Sequence, residues 1–159
     1  MLLTPHTLVG MAVATSIPNP IIAVPLSLLL HFAGDFMPHW DFFTNTTNKE
    51  RHKGCVVFPI LVDLVMGVII GLSFMYYAFF KLDSIPLTIN MLLCGIFSVL
   101  PDALTAPSIY VKNAHPLFKT VHKLQSKIGN SANPPWGIIT QLIVAVMSLF
   151  LISNSITQL

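Results

Sequence analysis

Charge is scarce in this chain. Lys, Arg, Asp and Glu together make up 9% of its 159 residues, against roughly 25% in an ordinary soluble domain. The net charge of +2 is too small and too scattered to hold nucleic acid, and none is expected as a partner. Cysteine is just as sparse. Cys55 and Cys94 stand singly in apolar segments and form no C-x-x-C pair, so they give no ground for a disulfide framework or a redox site. They read as small core or lipid-facing residues. A positively charged leader is also missing: the run from Leu8 to Ile17 ends in Pro-Asn-Pro rather than in a small-residue cleavage site. The first segment is therefore expected to stay in the mature protein.

Apolar residues fill the space that charge leaves. The hydrophobic fraction is 54% and the mean hydropathy +0.77, which points to a membrane protein, one helical domain over residues 1–159. Thr4 as N-cap and Pro5 in the first turn open a helix to about Ile17. That helix is too short to cross a bilayer alone, since a span needs ~20 residues. Pro18-Asn19-Pro20 turns the chain, and a second helix covers 21–37. Residues 42–54 form a polar loop, and the apolar run 55–80 is long enough to span. After a turn at 81–86, a further helix covers 87–100 and stops at Pro101-Asp102. The polar region 112–133 holds a short amphipathic helix, and a last apolar helix runs from Trp136 to about Ile152. The expected fold is an all-α integral membrane bundle of about four or five apolar helices, with a polar rim at one face. The segments LLLHFAGDFMP and GIFSVLPDALTAP echo each other, each taking an apolar helix into an Asp beside a proline.

Alternating spans put seven of the eight Lys and Arg residues on one side, which the positive-inside rule makes cytoplasmic. All six histidines fall at or near that side, with Asp35, Asp41 and Asp102. The expectation is a multi-pass protein of a cell inner membrane with its polar site on the cytoplasmic face. Trp40 and Trp136 read as interfacial aromatics, and His52 and His115 as interfacial or solvated.

The densest chemistry lies between His31 and Asp41, in HFAGDFMPHWD. His31 and Asp35 stand four apart and share a helix face. Such a pair can supply two ligands to one Zn²⁺ or to a di-metal centre, or can simply be a His–Asp hydrogen bond at a helix end. Pro38 then throws His39 and Asp41 into the following turn. Either completes the metal shell, orients a ligand from behind or is solvated. His6 is a ligand candidate or a helix-start histidine on headgroups. Asp63 sits about two turns inside a span, where an unpaired carboxylate costs about 2.5–3.5 kcal/mol. It reads as a helper ligand or as a protonated Asp bonded to a neighbouring helix. Asp102 is a ligand or an N-cap for the turn after it, and His122 on the amphipathic segment is a further ligand candidate.

These residues carry a resemblance. TPHTLVGMAVA, then HFAGDFMPHWD, then an Asp inside a helix and a late His together resemble the small membrane-bound metal-dependent hydrolases described as LexA-binding and inner-membrane-associated. More distantly, the His-x-x-x-Asp followed by another His is similar to the helical site of the zinc-dependent phospholipase C and single-strand nuclease superfamily. The resemblance touches His6, His31, Asp35 and His39, and more loosely Asp63, Asp102 and His122. The late H-R-x-x-T-H-S block of the membrane relatives is absent. The likeness implies phosphoester hydrolysis at a centre of one or several metal ions.

The leading expectation is thus a hydrolase of a phosphoester, such as that of a lipid headgroup, with membrane lipid and a small phosphoester as partners. His6, His31 and Asp35 would bind Zn²⁺ or another divalent ion with help from Asp63 or Asp102. Asp41 would be the general base with His39 beside it, and Lys119 and Lys123 would draw an anionic headgroup to the rim. Against it stand a small metal-binding or transport protein without hydrolase activity, and a structural protein whose His–Asp pairs only tie helices together.

Overall fold

The computed structural model describes residues 1–47 and 49–158; Asn48, inside the polar loop read at 42–54, and Leu159 lie outside the described residues. Among the described residues six helices follow one another: α1 (Leu3–Ser16), α2 (Pro20–Phe36), α3 (Gly54–Phe80), α4 (Ile85–Tyr110), α5 (Pro116–Ile128) and α6 (Trp136–Ile156). A 3-10 turn occupies Glu50–His52. Among the described residues there is no strand, only an isolated bridge between His39 and Ser131. α3, α4 and α6 are long and apolar enough to cross a membrane, and α2 is a shorter apolar helix.

α1 is the axis of the molecule. It packs against α2, α3, α4 and α6, and ten of its fourteen residues are buried. α3, by contrast, buries only Val56, Gly67, Gly71 and Ala78 along its whole length. The longer helices therefore wrap the short one and turn large apolar side chains such as Phe58, Leu72 and Phe150 outward. Leu8, Met11, Met91 and Ile152 meet in the core beside Ala14, Ala23 and Ala78. Small residues set how close the backbones come. A Cβ built on Gly10 would stand 2.6 Å from Ser98 Oγ and 2.8 Å from the Cys94 carbonyl, so α1 and α4 touch through a glycine that nothing larger replaces.

A buried helix must still satisfy its end groups. At the start of α1, the Leu2 amide donates to Gln141 Oε1 at 2.9 Å. The Leu3 and Thr4 amides donate to Asp63 Oδ2 and Oδ1 at 2.6 and 3.2 Å. At its far end, the buried Asn90 side chain donates from Nδ2 to the Ala14 and Ile17 carbonyls at 2.9 and 2.8 Å. The sequence reading of Thr4 as N-cap is corrected: the helix starts at Leu3, no side chain of its own caps it, and Thr4 gives its hydroxyl to the Asp63 carbonyl.

α2, α4 and α5 start where the sequence supplies a cap and a proline. Asn19 accepts from the Ile21 amide ahead of α2, Ser84 from the Leu87 amide ahead of α4 and His115 Nδ1 from the Leu117 amide ahead of α5. One expected boundary moves. α4 does not stop at Pro101 but continues through Pro101 and Pro107 to Tyr110. Proline inside a packed helix removes one amide and loosens one turn without ending it when neighbours hold both sides, and α1, α2 and α5 hold this one. The two echoed segments meet here: His31 of α2 lies against Ser98 of α4, and Asp35 and Asp102, each four residues further on, come to the same region.

Replacing Asn90 by Ala leaves the last carbonyls of α1 without a donor inside the core. The expected result is a loss of about 1–2 kcal/mol, read as a lowered unfolding midpoint with unchanged helix content.

Candidate metal centre

Three helices bring their polar side chains to one place. His6 comes from the second turn of α1, His31 and Asp35 from the last turns of α2, and Asp102 from the turn of α4 just after Pro101. His6 and His31 are fully buried and Asp35 nearly so. The imidazoles stack with centroids 4.1 Å apart and planes 27° from parallel. One carboxylate serves both: Asp35 Oδ1 lies 3.1 Å from His6 Nε2 and Asp35 Oδ2 lies 3.2 Å from His31 Nε2. Asp102 Oδ1 is 3.8 Å from His31 Nε2. One donor atom from each of His6, His31 and Asp102 falls within 4.8 Å of the other two, a spacing that can close around a cation.

The proton positions sharpen this. His31 Nδ1 is 2.8 Å from the Ser98 carbonyl. A carbonyl only accepts, so Nδ1 carries the hydrogen and fixes the ring. Neutral His31 then holds a bare Nε2 lone pair against two carboxylates. A second proton, a cation or a neighbouring N–H must stand between them. A backbone carbonyl behind a histidine is also the usual device for aiming a metal ligand. His6 Nδ1 is buried and has no hydrogen-bond partner among the described residues.

The lone pairs are met by two donors. The Met1 ammonium reaches Asp35 Oδ1 at 2.5 Å. The Gln125 amide, from α5, lies 2.7 Å from Asp102 Oδ1 and 3.1 Å from His31 Nε2, and the Thr105 hydroxyl donates to its oxygen. Gln125 and Ser98 escaped the sequence reading because a lone amide and a lone hydroxyl carry no charge and no period. Gln141 and Asn90 had a signal: each is an amide inside an otherwise apolar helix, where an unpaired polar group is expensive.

Asp35 and Asp102 open on a cavity of about 790 Å³, which His39, Asp41, Asp63 and His122 also line. These four stay outside the close group of donor atoms. His39 is held by backbone: its amide donates to the Asn130 carbonyl at 3.0 Å and its carbonyl accepts from Ala132 at 2.7 Å. A Cβ on Gly137 would come within 2.5 Å of the Trp40 nitrogen, so α6 starts with a glycine directly beneath this segment. His39 Nδ1 donates to the Met37 carbonyl at 2.8 Å. Burial first, and the Met1 ammonium second, hold its imidazole below the usual histidine value. It is therefore neutral near pH 7, with Nε2 free to accept a proton.

Asp41, expected as the base, spends Oδ1 on the Phe43 amide and the Thr44 hydroxyl and keeps Oδ2 3.8 Å from His39 Nε2. Asp63, expected as a helper ligand, has both oxygens on the first amides of α1, where a carboxylate also meets the positive end of the helix dipole. Asp102 is no N-cap, since α4 runs through it. His122 reaches the cavity but not the cluster, and its imidazole is lowered by burial and then by the nearby Arg51 charge. No family model, no curated protein and no solved structure matches the chain.

The two jobs open to Asp63 separate cleanly. Asp63→Leu should leave two amides of α1 without acceptors and cost about 2 kcal/mol of stability, while Asp63→Asn keeps one acceptor and costs less. Neither should change bound metal measured by elemental analysis. Metal lost in Asp63→Asn at an unchanged unfolding midpoint would return Asp63 to the ligand set.

Proposed function

We propose that this chain is a membrane-embedded, metal-dependent hydrolase of a phosphoester that carries an apolar tail. The observation that carries the reading is the meeting of His6, His31, Asp35 and Asp102 from three helices, with Asp35 and Asp102 opening on a cavity that apolar residues of α3 and α4 also line. In this reading the spans cross a cell inner membrane several times, and the cluster lies at the cytoplasmic side, where Lys and Arg concentrate.

The residues divide the work. His6, His31, Asp35 and Asp102 would hold Zn²⁺ or a similar divalent ion. Such an ion lowers the pKa of a bound water to about 7 and offsets charge developing on phosphate oxygens. Ser98 keeps His31 in the tautomer that presents Nε2. His39, neutral and clamped by the 130–132 segment, is the better-placed proton acceptor; Asp41 shapes the loop around it and faces its Nε2. Gln125 and the Met1 ammonium occupy the same lone pairs and must yield when the ion enters.

That last point also supports a second reading. Donors already satisfy most of the cluster, as they would in a protein whose His–Asp pairs only join helices. A metal measurement decides between the two. Protein purified and supplied with Zn²⁺ should retain at least one ion per chain, and His31→Ala should lose it while keeping its helix content. No retained metal in the native protein, or unfolding of His31→Ala as its only effect, would leave the helix-joining reading standing.

A further inference from the structure

The cavity has a second charged feature that the metal cluster does not use. Arg51 lines it, in the 3-10 turn ahead of α3. Among the described residues no carboxylate lies within 4.0 Å of its guanidinium. Its Nε is buried and, among the described residues, has no hydrogen-bond partner. What holds the side chain is an aromatic face: Cζ stands 4.9 Å from the Phe43 ring centroid, a cation–π contact that fixes the guanidinium plane and leaves its edge free. Arg51 is half-buried, and a buried Nε–H left without an acceptor is costly unless something meets it.

Tyr110 and His122 line the same part of the cavity. Tyr110 stands at the end of α4, where the His52 ring packs edge-on against it at 5.5 Å. His122 lies near enough to Arg51 for the charge to act on it. Val57, Ile60, Leu61 and Leu64 of α3 and Val99, Ala103 and Ala106 of α4 also line the cavity. The one charge on that stretch of α3, Asp63, is spent on the first amides of α1.

We infer that Arg51, with Tyr110 and His122 beside it, is the oxyanion subsite of this cavity, and that its occupant is a single-chain amphiphile ending in a phosphate-like group. The guanidinium edge matches the paired oxygens of such a group. The α3 and α4 wall takes the chain. The inference rests on the hydrolase reading in one respect. Asp35, Asp41, Asp63 and Asp102 also face the cavity, so an anion is held more tightly when a cation at the His–Asp end offsets them.

The test uses the full-length protein in nanodiscs of phosphatidylcholine, loaded with Zn²⁺, and titration calorimetry with dodecyl phosphate. The native protein should bind it, Arg51→Gln at least tenfold more weakly, and Arg51→Lys in between. Dodecyl maltoside, of equal chain but neutral head, should bind native protein and Arg51→Gln alike. Inorganic phosphate should bind much more weakly than dodecyl phosphate; equal binding would mean a free-phosphate site and overturn the amphiphile. Zinc retained per chain is read on the same samples and should be the same in all variants. Equal dodecyl phosphate affinity in native protein and Arg51→Gln, with zinc retained, overturns the subsite and leaves the hydrolase reading intact. Absence of retained zinc overturns the metal reading, and Arg51-dependent binding in those samples still upholds the subsite.

Discussion

A fourteen-residue helix enclosed by apolar neighbours cannot leave its end groups bare, and the rest of this molecule is arranged around meeting them. α1 takes an acceptor from α3 (Asp63), another from α6 (Gln141) and a donor from α4 (Asn90). Those three contacts fix which helices surround it, at what height and in which rotation. The small residues along α1 and α4 then let the backbones close on each other, down to the contact at Gly10.

The cluster inherits its precision from that frame. His6 sits one turn beyond the capped amides, so its depth is set by Asp63 and Gln141. His31 is set by the Ser98 carbonyl, and Asp102 follows four residues after Ser98 on the same helix. Each charged or basic group is thus aimed by a backbone or a cap rather than by its own flexibility. His39 is reached differently. It lies outside the helices, and short backbone bonds to residues 130–132 hold it against the start of α6.

Much of this could be read before any coordinates. The apolar runs gave the long helices, and the four-residue step from His31 to Asp35 put both on one face, where they now touch. Counting which end of each span they occupied grouped all six histidines with Asp35, Asp41 and Asp102; of these, His6, His31, Asp35 and Asp102 come together. What could not be read depends on long-range partners. A carboxylate in a span looks the same whether it binds an ion or caps a helix, and only the approach of α1 makes Asp63 a cap. Pro101 looked like a stop because local geometry penalises it; packing from three sides carries α4 past it. Arg51 looked like one more charge in a polar loop until the fold of that loop set it over Phe43 and turned it inward.

Gln125 reaches the cluster from α5, a helix with no buried residue of its own. Its amide serves His31 and Asp102 together, and Thr105 steadies it from α4. Lifting α5 by the length of one side chain strips both groups at once and opens them to whatever fills the space outside. How firmly that surface helix sits and how exposed the buried imidazole becomes are therefore one variable, so that the hydrogen exchange of α5 reports on the interior of the protein.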